Sequence, residues 1–164
     1  MESITVCYRR MAKSDLKGLL ELSQDPHFLA GYGQTTDWPT TPEQILSWYE
    51  ANLLDPKTAY FSIEVGEEKQ WAGFMSLTDF SETKEEAWLS IGVCPKFWGQ
   101  KIATKVLGQF IQDCFASGPL KRLNLFVFAT NQRALRLYTR LGFTVHSFHK
   151  TPFGEVYQLY VMNF

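Results

Sequence analysis

The sequence has no long hydrophobic segment, no excess of charge of either sign and few cysteines. No apolar run approaches the ~18 residues that a membrane-spanning helix needs, so we predict no membrane partner. The formal net charge of −1 offers no whole-surface attraction for nucleic acid, which we also exclude. Cys7, Cys94 and Cys114 have no C-x-x-C spacing, which argues against a disulfide scaffold or a metal site. Because the start MESITVCYRR also lacks the layout of a signal peptide, we predict a cytoplasmic protein.

The residues that are present are typical of one globular domain. The chain has 164 residues, of which 45% are hydrophobic and 20% charged. A chain of this size can bury a core without disulfides or metal. We therefore predict a single domain over residues 1–164.

Apolar alternation predicts strands, and apolar residues at helical spacing predict helices. Ser14 is the expected cap of the first helix, Thr41 caps the second, and two more helices start near Gln100 and Asn131. The segment 25–40 is predicted to be irregular. The predicted strands cover 4–11, 59–65, 71–78, 87–93, 122–129, 144–149 and 155–164. This order predicts an α/β fold with one mixed sheet of about seven strands and four helices on its two faces.

One strand-to-helix junction has the layout of an anion-binding site. In VCPKFWGQKIATKVLGQF, residues 93–110, a tight turn with Gly99 precedes a helix, and Lys101 and Lys105 add positive charge. The first amides of a helix lack partners within it and lie at the positive end of its dipole. Glycine lets the backbone approach a ligand closely. The segment 98–103 therefore indicates a site for a pyrophosphate, although many such turns are only connections.

A second segment, NQRALRLYTRLGF at 131–143, places Asn131 at a strand-to-helix junction and Tyr138 seven residues later. Seven residues are about two helical turns, so both side chains can face one ligand. An amide can bind a peptide-like chain, and a phenol can deliver a proton. On the residues alone, the alternative stays open that Asn131 only caps the helix and Tyr138 only packs in the core.

Together, the two segments resemble the GNAT superfamily of acyl-CoA-dependent N-acetyltransferases. PKFWGQKIATKVL resembles the pyrophosphate loop of that family, and NQRALRLYTRLGF resembles its N-x-x-A-x-x-L-Y-x-x-x-G-F signature. The W-G-x-x-x-A motif and the closing segment YVMNF are most similar to the Rim-type branch, the ribosomal-protein N-terminal acetyltransferases and their relatives. The resemblance implies a GNAT-like, mostly antiparallel sheet that splays between its two central strands.

The resemblance also implies a role for each matching residue. Val93 would offer backbone hydrogen bonds to the acetyl and pantetheine groups of acetyl-CoA, Asn131 would bind pantetheine, and Tyr138 would protonate the departing thiolate. The implied CoA-binding residues are Val93, Trp98, Gly99, Gln100, Lys101, Ile102, Ala103, Thr104, Asn131 and Ala134. The implied reaction is direct acetyl transfer to a primary amine, on a small molecule or a protein N-terminus, by a monomer or homodimer.

Two positions depart from the family pattern. Lys101 stands where the family has its first motif glycine, and a positive φ there would cost a lysine roughly 1 kcal/mol or more. Pairing of its ammonium with a phosphate could offset that cost, or the position could weaken binding. Trp88 stands where Rim-type relatives often have a glutamate that can serve as the general base. Glu86, two residues away on the same strand face, is our predicted replacement, unless it only forms part of a solvated hairpin tip.

The missing glutamate bears on the choice of acceptor. A lysine-type amine with a pKa of ~10.4 is only ~0.04% neutral at pH 7, whereas an α-amine with a pKa near ~8 is ~10% neutral. The sequence thus weakly favours a low-pKa amine over a polyamine. Backbone amides near Val93 and Cys94 are expected to stabilise the oxyanion. Aromatic residues that could line the acceptor cleft, or only fill the core, are His27, Phe28, Tyr32, Trp38 and Trp48.

Three functions compete on this evidence. The leading one is an acetyl-CoA-dependent N-acetyltransferase. Lys101 and Trp88 support the alternative of a catalytically weak acyl-CoA sensor or regulatory module. An RNA-binding module is disfavoured, because the chain lacks a strand that interleaves arginine with aromatic residues.

Overall fold

The computed structural model describes residues 4–32 and 39–163, which form seven strands and five α-helices. The strands are β1 (Val6–Arg10), β2 (Ala59–Val65), β3 (Gln70–Thr78), β4 (Glu86–Val93), β5 (Arg122–Phe128), β6 (Thr144–Thr151) and β7 (Gly154–Met162). The helices are α1 (Leu16–Ser23), α2 (Pro26–Tyr32), α3 (Pro42–Leu54), α4 (Ile102–Ser117) and α5 (Gln132–Arg140). None of the described helices has the length and hydrophobicity needed to cross a lipid bilayer.

The strands form one sheet in the order β1-β2-β3-β4-β5-β7-β6. All neighbouring strands are antiparallel except β4 and β5, which are parallel. These two strands pair at only three positions, from Glu86 with Arg122 to Trp88 with Asn124. Beyond Trp88 they separate and leave a slot through the sheet. The predicted mixed, mostly antiparallel sheet and its central splay are both confirmed.

Helices cover both faces of the sheet. On one face, α1, α2 and α3 bury Leu19, Phe28 and Ile45 together with Phe74 of β3. On the other face, α4 and α5 bury a larger cluster that includes Leu107 and Tyr138. The slot between β4 and β5 passes through the sheet and therefore connects the two layers.

The structure corrects three local predictions. The segment 25–40 contains α2, which begins at Pro26, a residue that suits the first turn of a helix. Ser14 does not cap α1, because a 3-10 turn at Lys13–Asp15 leads into that helix. The next helix after β4 begins at Ile102 and not at Gln100. Thr41 does cap α3, where its side chain accepts a hydrogen bond from the amide of Gln44.

A buried carboxylate fixes α1 against the sheet. Asp15 is 6% exposed and pairs with Arg9 at 2.7 Å. It also accepts hydrogen bonds from the amide of Ala12 and the hydroxyl of Ser62, at 2.8 and 2.7 Å. Burial opposes ionisation, but the hydrogen bonds from Arg9, Ala12 and Ser62 outweigh it and lower the pKa of Asp15. The helix layer that carries α2 is therefore anchored to β1 and β2.

Candidate active site

A cavity of about 1570 Å³ opens where β4 and β5 separate. Its walls come from both helix layers, with α2 on one side and the N-terminal ends of α4 and α5 on the other. Along β4 the cavity is lined from Trp88 to Val93, and along β5 from Phe126 to Phe128. The slot thus joins two binding regions that lie on opposite faces of the sheet.

The first region surrounds the N-terminus of α4. Gly99 has a φ of 83°, and a Cβ built there would meet nothing within 4 Å, so the turn faces open space. The amide of Lys105 is the first to bond within the helix, to the carbonyl oxygen of Lys101 at 3.2 Å. The preceding amides, at 102–104, lack such partners and lie at the positive end of the helix dipole. This arrangement is suited to an anion.

The predicted residues of this turn differ in how they meet the cavity. Those that line it are Trp98, Gly99, Lys101, Ile102, Ala103 and Thr104. Gln100 lies in the same turn but is not part of the lining. The ammonium of Lys105 is directed away, since it donates to the carbonyl oxygen of Ile4 at 3.2 Å. Lys101 has a φ of 61°, which is the left-handed conformation considered in the sequence analysis.

Three arginines of α5 add positive charge to this region. Arg133, Arg136 and Arg140 all line the cavity, and their spacing of three and four residues places them on one helix face. None of them forms an ion pair with a carboxylate in the described part of the chain. These arginines are not among the predicted site residues, although the pattern R-x-x-R-x-x-x-R is visible in the sequence.

The exposed edge of β4 supplies backbone donors to the slot. The amide of Cys94 donates to the carbonyl oxygen of Ala72 at 2.8 Å and is therefore not available to a ligand. Hydrogen-bonded pairs alternate along an antiparallel ladder, so the backbone groups of Val93 and Ile91 point away from β3. The indole of Trp98 agrees with this direction, because it donates to the carbonyl oxygen of Val93 at 2.9 Å. The prediction of an oxyanion donor at Cys94 was wrong, and the amides that point toward the slot are those of Ile91 and Val93.

Tyr138 projects from α5 into the cavity and is 9% exposed. Its ring packs edge-on against Phe143, with the ring centroids 5.6 Å apart. The described residues give its hydroxyl no hydrogen-bond partner. Burial, and to a lesser degree Tyr32, raises the pKa of that hydroxyl, so it keeps its proton at neutral pH. The group is an available donor inside the slot.

Asn131 caps α5 and also faces the cavity. Its side-chain oxygen accepts a hydrogen bond from the amide of Ala134 at 3.1 Å. The capping role considered as an alternative is therefore present, but the side-chain nitrogen remains available as a donor. Both Asn131 and Ala134 line the cavity.

The second region of the cavity lies on the α2 face and has a floor of hydroxyl groups. Tyr60, Ser76 and Ser90 are cross-strand neighbours on β2, β3 and β4. The hydroxyls of Ser76 and Ser90 are hydrogen-bonded to each other, and Tyr32 of α2 donates to Ser90 at 3.1 Å. Trp88 and Phe126 stack with ring centroids 4.6 Å apart and form a wall. This floor could not be predicted from the sequence, because the serines are brought together only by the register of β3 and β4.

The predicted base lies outside the cavity. Glu86 is not part of the lining, and its carboxylate accepts from the side-chain amide of Asn124 at 2.6 Å. It also lies 3.7 Å from the guanidinium of Arg122. These contacts are at the end of β4 where the strands still pair, so the geometry argues against Glu86 as a base.

The aromatic residues predicted for the acceptor cleft separate in the structure. His27, Phe28 and Tyr32 line the cavity. Trp48 instead packs edge-on against Tyr60 within the α1 to α3 layer, with ring centroids 4.7 Å apart. Trp38 lies outside the described residues.

Cys94 does not have the environment of a nucleophile. Burial raises the pKa of its thiol to about 11, which leaves it protonated at neutral pH. Its thiol is therefore not suited to forming an acyl-cysteine.

Comparison with known proteins identifies the family. The model of the acetyltransferase (GNAT) domain matches residues 5–144. The chain belongs to the GNAT acetyltransferase family. Among the solved GNAT structures, the spermidine N-acetyltransferase of Vibrio cholerae, in complex with CoA and spermine, superposes with a TM-score of 0.87 at 18% identity. That match covers 96% of this chain and 95% of the other, and at this identity it shows the shared fold alone.

Curated relatives of this GNAT chain cover less of it. The spermidine N(1)-acetyltransferases of Escherichia coli strain K12 and of Escherichia coli O157:H7 are each 28% identical over 97 residues. These residues are 59% of this chain and 51% of each relative, so the chain spans about half the length of the curated relatives that it matches. Both relatives are named for acetylation of spermidine, and they give no specific support to the Rim-type branch that the motif predicted.

Proposed function

We propose that this chain is an N-acetyltransferase that moves an acetyl group from acetyl-CoA to a primary amine by direct attack. The observation that carries the proposal is the cavity itself. It places unpaired helix amides, a protonated phenol and a row of hydroxyls around one slot through the sheet. Membership of the GNAT family supports the reaction type.

The residues of the first region fit acetyl-CoA as a cosubstrate. The amides at 102–104 and the ammonium of Lys101 suit a pyrophosphate. The three arginines of α5 suit the phosphate group of CoA that lies outside the pyrophosphate. In the described part of the chain, no carboxylate forms an ion pair with them. Asn131 lines the cavity, and its side-chain nitrogen would donate to an amide carbonyl of the pantetheine arm.

The slot residues then divide the chemistry. Acetyl-CoA supplies a thioester, whose carbonyl carbon is attacked by the neutral amine while the carbon–sulfur bond breaks. The amides of Ile91 and Val93 donate to the carbonyl oxygen as negative charge develops there. Tyr138 donates its proton to the departing sulfur and regains one from solvent, and the proton that the amine loses passes to solvent through the open second region.

The acceptor region favours a small primary amine. Asp79, the one carboxylate among the described lining residues, follows the end of β3 and does not border the slot between β4 and β5. The amine must therefore arrive neutral or lose its proton to water. The relatives from Escherichia coli are named for acetylation of spermidine, which also favours a small molecule. The alternative acceptor is a protein N-terminus, as in the Rim-type branch.

The cysteines Cys7, Cys94 and Cys114 are free, which fits the proposed cytoplasmic location.

The first test separates binding from turnover. Acetyl-CoA at millimolar concentration is expected to raise the melting temperature, because a ligand that binds only the folded state stabilises it. Release of free CoA should then depend on an added primary amine, and should accelerate as the pH rises and more amine is neutral. Stabilisation without thiol release from any amine would favour the sensor alternative. The absence of stabilisation would contradict both.

A second test concerns Lys101. Replacement by glycine is expected to raise the free energy of unfolding by about 1 kcal/mol, because a left-handed conformation costs a residue with a Cβ about that much. The same variant should bind acetyl-CoA about three- to tenfold more weakly, because it loses a charge contact with phosphate. Urea denaturation and calorimetry measure the two effects.

Lys69 provides the matched control for that test. It has a φ of 53° in the turn between β2 and β3, away from the cavity. Lys69→Gly should give a similar gain in stability and leave acetyl-CoA affinity unchanged. Unchanged or improved affinity in Lys101→Gly would show that the lysine is a steric compromise.

A further inference from the structure

The charges of the cavity are unevenly distributed along its length. Lys101 and the three arginines of α5 lie at one end. At the other end, Asp79 is the one carboxylate among the described lining residues. Asp79 forms no ion pair with a described cation. An unpaired carboxylate at the exposed end of a region lined by hydroxyl groups and aromatic rings is suited to binding a cation.

Asp79 is turned out of the strand at the point where β3 ends. It follows Thr78 directly and has a φ of 51°, a conformation that aspartate adopts more readily than most residues. Tyr60 belongs to the floor of the acceptor region. Burial, then Tyr32, then the charge of Asp79 raise the pKa of Tyr60 to about 12, so Asp79 lies close to that floor. The carboxylate therefore belongs to the acceptor region and not to the CoA region.

The strand register sets the distance between Asp79 and the reacting amine. Met75 pairs with Ile91, whose amide we assign to the oxyanion, and Asp79 lies four residues beyond Met75. At about 3.3 Å per residue, four residues span about 13 Å, so Asp79 lies on the order of 10 Å from the reacting centre. It is too distant to take the proton of the attacking amine.

The space between these two points has aromatic walls. Trp88 and Phe126 stack beside it, and Phe126 is 56% exposed at its edge. Such a wall suits an alkyl chain, and its ring faces also tolerate a cation.

We propose that Asp79 is a specificity residue that binds a second, distal cationic group of the acceptor. The preferred acceptors are then long diamines or polyamines whose terminal nitrogens lie about 11 Å apart, the span of an extended chain with eight atoms between them. The aromatic walls hold the spacer, and the reacting nitrogen reaches the slot beside Ser90. This inference rests on the proposed function and names its substrate class.

The test compares two acceptors that differ only in the distal amine. For the wild-type protein, kcat/KM per primary amine should be about fivefold higher with 1,8-diaminooctane than with octylamine, the size expected for one partly exposed charge pair. In Asp79→Asn this ratio should fall to about one, because the distal ammonium of the diamine then has no carboxylate to bind. Octylamine has no distal ammonium, so its kcat/KM should not change. A short diamine, 1,3-diaminopropane, should gain nothing from Asp79.

The matched control is Glu82→Gln, which removes one negative charge from the same loop. Glu82 is exposed and does not line the cavity, so its loss should leave the ratio unchanged. A ratio that stays high in Asp79→Asn, or falls equally in Glu82→Gln, would overturn the assignment.

A binding measurement keeps the two proposals distinguishable. Calorimetric titration of the CoA-bound protein with 1,8-diaminooctane should show about fivefold weaker binding in Asp79→Asn, whether or not turnover occurs. Equal turnover of the diamine and the monoamine by the wild type overturns only the role of Asp79. Turnover of neither amine, with the difference in binding intact, overturns the acetyl transfer and leaves Asp79 as a cation-binding residue.

Discussion

Replacement of Tyr138 by phenylalanine is expected to lower kcat about 100-fold, the lower end of the range for loss of a positioned proton donor. The side chain lies in the cavity at 9% exposure, and the described residues leave its hydroxyl without a partner. Its loss therefore removes the proposed donor to the departing sulfur and removes no hydrogen bond of the described fold. Steady-state kinetics with saturating acetyl-CoA and amine measures the effect.

Two controls separate this role from a structural one. The affinity for CoA should stay within about twofold in Tyr138→Phe, because the ring that packs on Phe143 is retained. Tyr157→Phe, on β7 and outside the cavity lining, should leave kcat unchanged. A kcat near that of the wild type in Tyr138→Phe, from neutral to alkaline pH, would rule out Tyr138 as the acid.

The pH dependence of the wild type tests the same assignment. Burial raises the pKa of Tyr138, so the phenol loses its proton only at a higher pH than an ordinary tyrosine. The rate should rise as the amine deprotonates, and no falling limb should follow in the mildly alkaline range. Because the raised pKa also makes the phenol a weak acid, its contribution is largely the hydrogen bond to sulfur in the transition state.

The sequence was most informative where a function depends on local chain geometry. The turn around Gly99 and the cap at Asn131 can be read from neighbouring residues, because both are set by the conformation of a few consecutive positions. The seven strands follow from alternation, and the splay followed from the resemblance. A lysine at a family glycine position indicated that a positive φ could occur there, and Lys101 does have a φ of 61°.

The parts that the sequence did not reveal depend on contacts between distant strands. The choice of Ile91 over Cys94 as a backbone donor follows from the register of β3 and β4, which no pattern in one strand specifies. Glu86 shares a strand face with Trp88, but the three paired positions of β4 and β5 tie it to Asn124. The sequence could predict which residues of β4 share a strand face. It could not predict the point along β4 where pairing with β5 ends and the cavity begins.

Gly73→Ala is expected to lower the free energy of unfolding by about 3 kcal/mol or more, from backbone strain and overpacking together. Gly73 has a φ of 154°, which residues with a side chain rarely adopt. A Cβ there would lie 2.1 Å from the carbonyl oxygen of Gly92 and 3.0 Å from the Cα of Val93. Both are backbone atoms of β4, so neither can move aside as a flexible side chain would. Urea denaturation measures the loss.

The consequence of that substitution reaches the slot. If β4 yields instead of unfolding, Gly92 and Val93 must shift away from β3 and toward the space that we assign to acetyl-CoA, so stabilisation by acetyl-CoA should also be lost. Gly118→Ala is the control, because Gly118 has extended backbone and nothing within 4 Å of a Cβ, and its cost should stay within about 0.5 kcal/mol. A Gly73 variant as stable as the Gly118 variant would mean that β3 and β4 do not approach closely at this point. The direction assigned to the Val93 amide, and with it the oxyanion site, would then lose its basis.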